Sequence, residues 1–516
     1  MAEKVKYIAV TVGPIGETFS LVSKPAGLWG ASYLFSYITE QLTEKIQRYN
    51  EFELLTPYFE FDEESGYQAS RGAGFFHDHI IIKNGDLEVI GAIIRQVKEE
   101  LGENVFKALG YDKEAVKKYV NDYIRIYAAE YETAEKEVPI VKELSVLFDS
   151  MELRCQTVPV EEENYIASLL DNDTIRCSFL VERLKTKGKG DWQLFRNTSD
   201  SGIKTLQDIA RSDGDPKLWK RYSYYAYVTS DGDHMGTILS GLKTVETVRE
   251  FSQNCLRYNT KACKCVEDFG GIVVYAGGDD LRFLSPLTKY DNHSGRQKTV
   301  FDLLLEIKKC FEDVFVPQGR AETSSLTHPT VSFGVAITYH KYPLYETGNI
   351  ADGLLFTAKS TGRDSMCIYV QKHSGQSAKY VLHNVSKCTE KIGLVNDLNG
   401  VIAERLQETS ANSVISHIYQ YSGVLDFALR QQQMGNSGPL DSFFDSIFTD
   451  DTALANEKTR NAVKQIAKDA TLSDIESLHG DLTTDEGRSV PERIWPIIDV
   501  LRTAQLFGEA GDPRNE

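Results

Sequence analysis

Ile272-Val273-Val274-Tyr275-Ala276-Gly277-Gly278-Asp279-Asp280-Leu281-Arg282-Phe283-Leu284 is the stretch that decides the fold. Two apolar runs flank Gly-Gly-Asp-Asp, the pattern of a β-hairpin with two carboxylates at its tip. Glycine permits the tight turn and a close backbone approach. Adjacent acids there suit Mg2+ or Mn2+, which take oxygen ligands from one or two carboxylates plus substrate phosphates. Taken alone, a Gly-Asp pair is more simply a solvated turn. The segment 48 residues upstream (279 minus 231) changes that reading.

There, Tyr224-Tyr225-Ala226-Tyr227-Val228-Thr229-Ser230 leads into Asp231-Gly232-Asp233-His234-Met235-Gly236, a second β-rich run ending in acids and glycines. A helical pattern follows from Thr237 to about Tyr258. Strand, helix and strand-turn-strand make half of a βαββαβ layout. In that layout the first and third strands lie side by side, with the helix as the crossover that parallel strands need. Asp231 and Asp279 then meet at one sheet edge. Carboxylates crowded there repel unless cations neutralise them. This is the geometry of two-metal phosphoryl transfer, in which ions about 4 Å apart hold the attacking and leaving oxygens.

The remaining elements complete the unit. Thr299 to Phe315 reads as an amphipathic helix, Thr330 to Thr338 as a strand, Ile350 to Ser360 as a helix, and Met366 to Val370 as a last strand. Asp231, Asp279 and Asp280 are the candidate catalytic residues and metal ligands. Gly232, Asp233, Gly277, Gly278, Ser332 and Lys359 are the candidate nucleotide-binding set. Backbone amides at Gly232 open the first helix, a place that favours phosphate. Ser332 on its strand reads equally as a structural hydroxyl. Lys359 reads either as a helix-end cation or as a phosphate contact.

The order Asp-Gly-Asp-x-x-Gly, Gly-Gly-Asp-Asp, Ser-x-Gly-Val-Ala and Ala-Lys-x-x-Gly-Arg resembles the palm shared by diguanylate cyclases and the large subunit of type III CRISPR effector complexes. Leu281 stands where a diguanylate cyclase carries Phe. The N-terminal run Tyr7–Gly13 and Lys24-Pro25-Ala26-Gly27-Leu28-Trp29-Gly30-Ala31-Ser32-Tyr33-Leu34 resembles the opening of the type III-B large subunit, with Gly27 in place of its usual acid. The resemblance implies a target-RNA-activated nucleotidyltransferase that converts ATP into cyclic oligoadenylate. S-adenosylmethionine is the alternative acceptor, giving an adenylyl conjugate. It also implies partner effector subunits, guide RNA and target RNA. The other readings are a catalytically silent scaffold subunit and a diguanylate-cyclase-like enzyme.

The fold class expected is α+β, with two ferredoxin-like palms, the second catalytic. Residues 1–140 form a degenerate first palm, 141–220 a mostly helical connector, 221–372 the catalytic palm and 373–516 a helical domain. No acid follows the first strand, at Val12-Gly13-Pro14-Ile15, so no catalytic metal is expected there. His77-Asp78 precedes a β-run, and little chain lies ahead of Tyr7, so the His-Asp nuclease domain of many such subunits is not expected. His77 and His79 are expected on a strand, able to face a ligand across the palm–palm interface. The cysteines lack paired Cys-x(2–4)-Cys knuckles, so no zinc ribbon is expected.

Composition fits these expectations. A hydrophobic fraction of 41% supports real cores, and no apolar run is long enough for a membrane span. Meeting no export signal, the reading is cytoplasmic, with the 8 cysteines reduced. The net charge of −18 is unfavourable for direct RNA contact. Partner subunits, or local clusters such as Lys185–Lys189 and Lys458-Thr459-Arg460, are expected to carry it.

Overall fold

The computed structural model describes residues 4–58, 74, 76–135, 137–154, 163–171, 174–175, 178–186, 205–211, 223–291, 296–316, 329–383, 408–447, 457–471, 475–478 and 490–509. The basic run 187–189, Cys155, Cys177, the turn at 71–73 and the apolar stripe 394–402 lie outside the described residues.

The first palm runs β1 (Val5–Gly13), α1 (Pro25–Ile46), β2 (Glu53–Thr56), β3 (His79–Lys83), α2 (Leu87–Leu109), α3 (Lys113–Tyr123) and β4 (Arg125–Thr133). Its sheet order, β2-β3-β1-β4, is ferredoxin-like. The continuous apolar run of β1 has a physical cause, because both faces of the strand are buried. Ile8, Val10 and Val12 join the core built with α1 and α2. Tyr7 and Ala9 face the other way, onto Leu144 and Phe148 of α4 (Ile140–Glu152) and onto Leu242 and Val248 of the second palm. The sheet of the first palm is thus a wall shared with the second. The connector packs on α1, where a Cβ on Gly27 would lie 2.9 Å from the Leu170 carbonyl. That close approach explains glycine at this position.

The second palm runs β5 (Tyr224–Asp233), α5 (Met235–Gly241), α6 (Val245–Phe269), β6 (Ile272–Gly277), β7 (Asp280–Pro286), a side hairpin of β8 (Thr288–Asp291) and β9 (Arg296–Thr299), α7 (Val300–Phe315), β10 (Thr330–Tyr339), α8 (Leu344–Ser360) and β11 (Met366–Gln371). The single helix expected from Thr237 is two, because Thr244 starts a new one with a capping box to Thr247. The order β10-β5-β7-β6 repeats that of the first palm. First and third strands are neighbours as expected, but they pair antiparallel, from Tyr225–Pro286 to Ser230–Leu281. The helix connects β5 to β6, which lies beyond β7, so the crossover spans a strand.

The sheet continues past residue 372 through β12 (Ser377–Leu382) and β13 (Ile475–Ser477). The later helices, α9 (Glu408–Gln420), α10 (Ser422–Gln433), α11 (Gly438–Ile447), α12 (Glu457–Thr471) and α13 (Trp495–Glu509), share one core with the helical face of the palm. Phe301 of α7 packs on Phe507 of α13 at 5.5 Å between ring centroids. Among the described residues no helix is long and apolar enough to cross a membrane.

On the opposite face, α8 lies directly on β10 at Gly334. A Cβ there would meet the Ala351 carbonyl and lie 3.0 Å from Leu355 Cα. Backbone on both sides leaves no side chain able to give way. Gly334→Ala is therefore expected to destabilise the protein by about 1–3 kcal/mol through overpacking. Urea unfolding of the two proteins measures this, and an unchanged midpoint contradicts the close packing.

Candidate active site

The tip of the β6–β7 hairpin is set by backbone needs. Gly277 pairs with Asp280, leaving Gly278 and Asp279 as the two turn residues. Gly278 has φ +64°, a left-handed value that glycine adopts without strain. The turn is held from behind, where Asn259 of α6 donates Nδ2 to the Gly278 carbonyl at 3.1 Å. Asn259 is buried, and sequence reasoning missed it. The available signal was a polar residue on the apolar stripe Cys255, Tyr258, Ala262, Val266.

One step beyond the Ser230–Leu281 pair, β5 delivers Asp231 beside this tip. Gly232 faces Asp279 so closely that a Cβ would lie 2.6 Å from Asp279 Oδ2. Asp231, Asp279 and Asp280 therefore come together as expected. Burial, then the charge of Asp231 and a hydrogen bond with it, pushes the Asp279 carboxyl up to about 7. Burial and the same neighbours raise Asp280 well above the ordinary carboxylate range. Lys359 reaches in from the end of α8. It forms an ion pair with Asp231 and donates to the Gly232 carbonyl at 3.2 Å.

Asp233 plays a different part, because it is buried beneath the site. It accepts from Thr330 Oγ1 at 2.8 Å, from Ser332 Oγ at 2.8 Å and from the Asp364 amide at 2.9 Å. Ser332 is fully buried, with its hydroxyl on Asp233. Arg363 and Asp364 have positive φ, at 64° and 47°, which is unusual for residues with a Cβ. The hydrogen bond from the Asp364 amide to the Asp233 carboxylate ties that turn to β5, and the turn follows directly on the helix that carries Lys359.

Asp279 and Asp280 open onto a cavity of about 590 Å³ between the two palms. Arg282, paired with Asp352 at 2.9 Å, lines the same wall. The opposite wall carries His77, Asp78 and His79 of the first palm. His77 Nε2 bonds Thr56 Oγ1 at 2.8 Å, and His79 Nε2 bonds Glu152 Oε1 at 2.7 Å. Asp231 and Lys359 are not part of the lining. The donor set of Asp231, Asp279 and Asp280 suits a hard divalent cation. It is all oxygen and crowded, and Lys359 and Arg282 offset its charge only in part.

The raised Asp279 carboxyl has a consequence for the metal-free protein. A carboxyl whose folded pKa lies above its unfolded value of 3.8 contributes most below pH about 4. That contribution is lost as pH rises through about 7. In a chelator the protein is expected to be less stable at pH 8 than at pH 5, and Asp279→Asn is expected to flatten that difference. Denaturant midpoints at the two pH values check this, and an equal pH dependence in the variant contradicts it.

Comparison with known proteins bears on the fold and the family of this palm. Residues 224–367 match the family model described as Cas10/Cmr2, second palm domain. A curated relative, the CRISPR system Cmr subunit Cmr2 of Pyrococcus furiosus, is 25% identical over 234 residues, covering 40% of this chain. The match spans a quarter (25%) of that relative's own length. The crystal structure of a Csm1–Csm4 cassette in complex with cA4 aligns with 98% of this chain and 70% of that one, at 12% identity and a TM-score of 0.50. At that identity the likeness is one of fold. Residues 224–367 thus match the second palm domain of the Cas10/Cmr2 family, and the chain as a whole shares its fold with the Csm1–Csm4 cassette.

Proposed function

We propose that this chain is a nucleotidyltransferase that uses ATP at the second palm and works inside an RNA-guided type III complex. One observation carries the reading. Asp231, Asp279 and Asp280 are gathered at one sheet edge, two of them opening onto a cavity walled by both palms. A scaffold has no need of three carboxylates gathered beside a cavity.

Asp231, Asp279 and Asp280 would hold Mg2+ or Mn2+, which supplies charge neutralisation for a triphosphate and its leaving group. The protein's own groups do the positioning. Gly232 keeps the space over Asp279 free of a side chain. Lys359 places an ammonium beside the Gly232 carbonyl, suited to phosphate oxygens. Asn259 and Gly278 fix the turn, and Asp233 fixes the strand end and the turn after α8. Arg282 sets a cation in the cavity wall. The first palm closes the opposite side, where an acceptor nucleotide or S-adenosylmethionine would lie. The product is then a cyclic oligoadenylate or an adenylyl conjugate of S-adenosylmethionine, a second messenger made when target RNA is bound. Other effector subunits and the guide RNA complete the assembly, and the excess of acid on this chain agrees with RNA contact lying mostly on those partners.

Mass spectrometry of reaction products tests the proposal. The chain is assembled with its partner subunits and guide RNA and given ATP and Mg2+, with and without target RNA and S-adenosylmethionine. An adenylate product is expected only with target RNA, falling by at least about 100-fold in Asp279→Asn/Asp280→Asn. A complex that binds target RNA yet yields no adenylate product, or equal product from the variant, refutes it.

A further inference from the structure

The two palms share one strand order, so their parts can be compared position by position. In the second palm, β7 is the third strand and Asp279-Asp280 stand at its start. In the first palm the third strand is β3, and Asp78-His79 stand at its start. Both pairs line the same cavity. The first palm lacks an acid where β5 carries Asp231, since β1 ends in Val12-Gly13. A third donor nevertheless arrives from elsewhere. Glu152, the last residue of α4, bonds His79 Nε2 at 2.7 Å.

Asp78, His79 and Glu152 each offer a donor atom, and these atoms lie within 4.8 Å of one another. Their surroundings orient them. Thr11, the β1 partner of His79 in the sheet, donates to Glu152 Oε1 at 3.0 Å. The His79 ring stacks on Phe148 at 4.0 Å and 11°. Such supporting contacts aim ligating groups and fix their rotamers. His79 and Glu152 keep 38% and 47% of their side chains exposed, so the corner is accessible from the solvent side.

We propose that Asp78, His79 and Glu152 form a second divalent-cation site, on the first palm, facing the Asp279-Asp280 tip across the cavity. One imidazole and two carboxylates suit an ion of the zinc or manganese class better than magnesium, which avoids nitrogen. Three protein ligands leave coordination positions for an oxygen of whatever occupies the cavity. The site differs from the one that the missing acid of β1 excludes, because its third ligand comes from α4 rather than from the first strand. The proposal does not depend on the nucleotide chemistry of the second palm.

The test uses the full, tag-free chain carrying Asp279→Asn/Asp280→Asn, which removes two of the three competing carboxylates and leaves Asp231 paired with Lys359. Equilibrium dialysis against Zn2+ alone, and against Mn2+ alone, followed by elemental analysis, is expected to show about one ion per chain. Adding Asp78→Asn/Glu152→Gln is expected to weaken that binding at least ten-fold and to abolish the metal-dependent rise in melting temperature. The chelated variants are expected to keep the melting temperature of their parent within a few degrees, since each replacement keeps the size and polarity of the side chain. No bound ion in the parent, or binding unchanged by the added substitutions, overturns the proposal. His79→Gln serves as the second variant. It is expected to lower Zn2+ affinity more than Mn2+ affinity, and a purely structural His79–Glu152 ion pair would move neither.

Discussion

Repulsion among Asp231, Asp279 and Asp280 is the constraint on which the second palm depends. Two carboxylates about 4 Å apart repel by about 4 kcal/mol at the effective dielectric of a protein surface. That is a large part of a domain's total stability of about 5–15 kcal/mol. The fold imposes the crowding through backbone register, and it cannot relax by sliding. The β5–β7 ladder fixes where Asp231 emerges, and Asn259 fixes the turn that carries Asp279. Asp233 fixes the end of β5 from below. The protein answers the repulsion in part with Lys359 on Asp231, while burial and mutual charge raise the carboxyl pKa of the other two.

The second consequence of the fold is the cavity. Two palms of the same strand order pack so that the third-strand start of each opens on one space. The double burial of β1 and the seating of α8 at Gly334 are the packing facts that keep the walls in place. The helices after residue 408 share the core behind the second palm, so a load applied to them reaches the sheet through packed side chains rather than through a linker.

Much of this was legible in the sequence. The Gly-Gly-Asp-Asp turn between apolar runs specifies a hairpin, and the strand and helix periods around it specify a ferredoxin-like order. From that order the meeting of Asp231 with Asp279 follows. Less legible was everything fixed by tertiary packing. Ser332 and Asp233 stand 99 positions apart, and only the β5–β10 register joins them. The pairing of Lys359 with Asp231 depends on where α8 ends over β5. Glu152 follows the first palm on a helix whose docking face is set by Leu144 and Phe148, so nothing near His79 in sequence announces it. The extension of the sheet by β12 and β13 was missed because short strands in a helical context leave weak patterns.

The most direct measurement is anomalous diffraction from crystals of the protein grown with Mn2+ and a non-hydrolysable ATP analogue. The account predicts manganese bound by Asp231, Asp279 and Asp280, with Lys359 Nζ released from Asp231 and phosphate oxygens completing the coordination. Asp231 still paired with Lys359, with no manganese at these carboxylates under saturating metal and nucleotide, would contradict it.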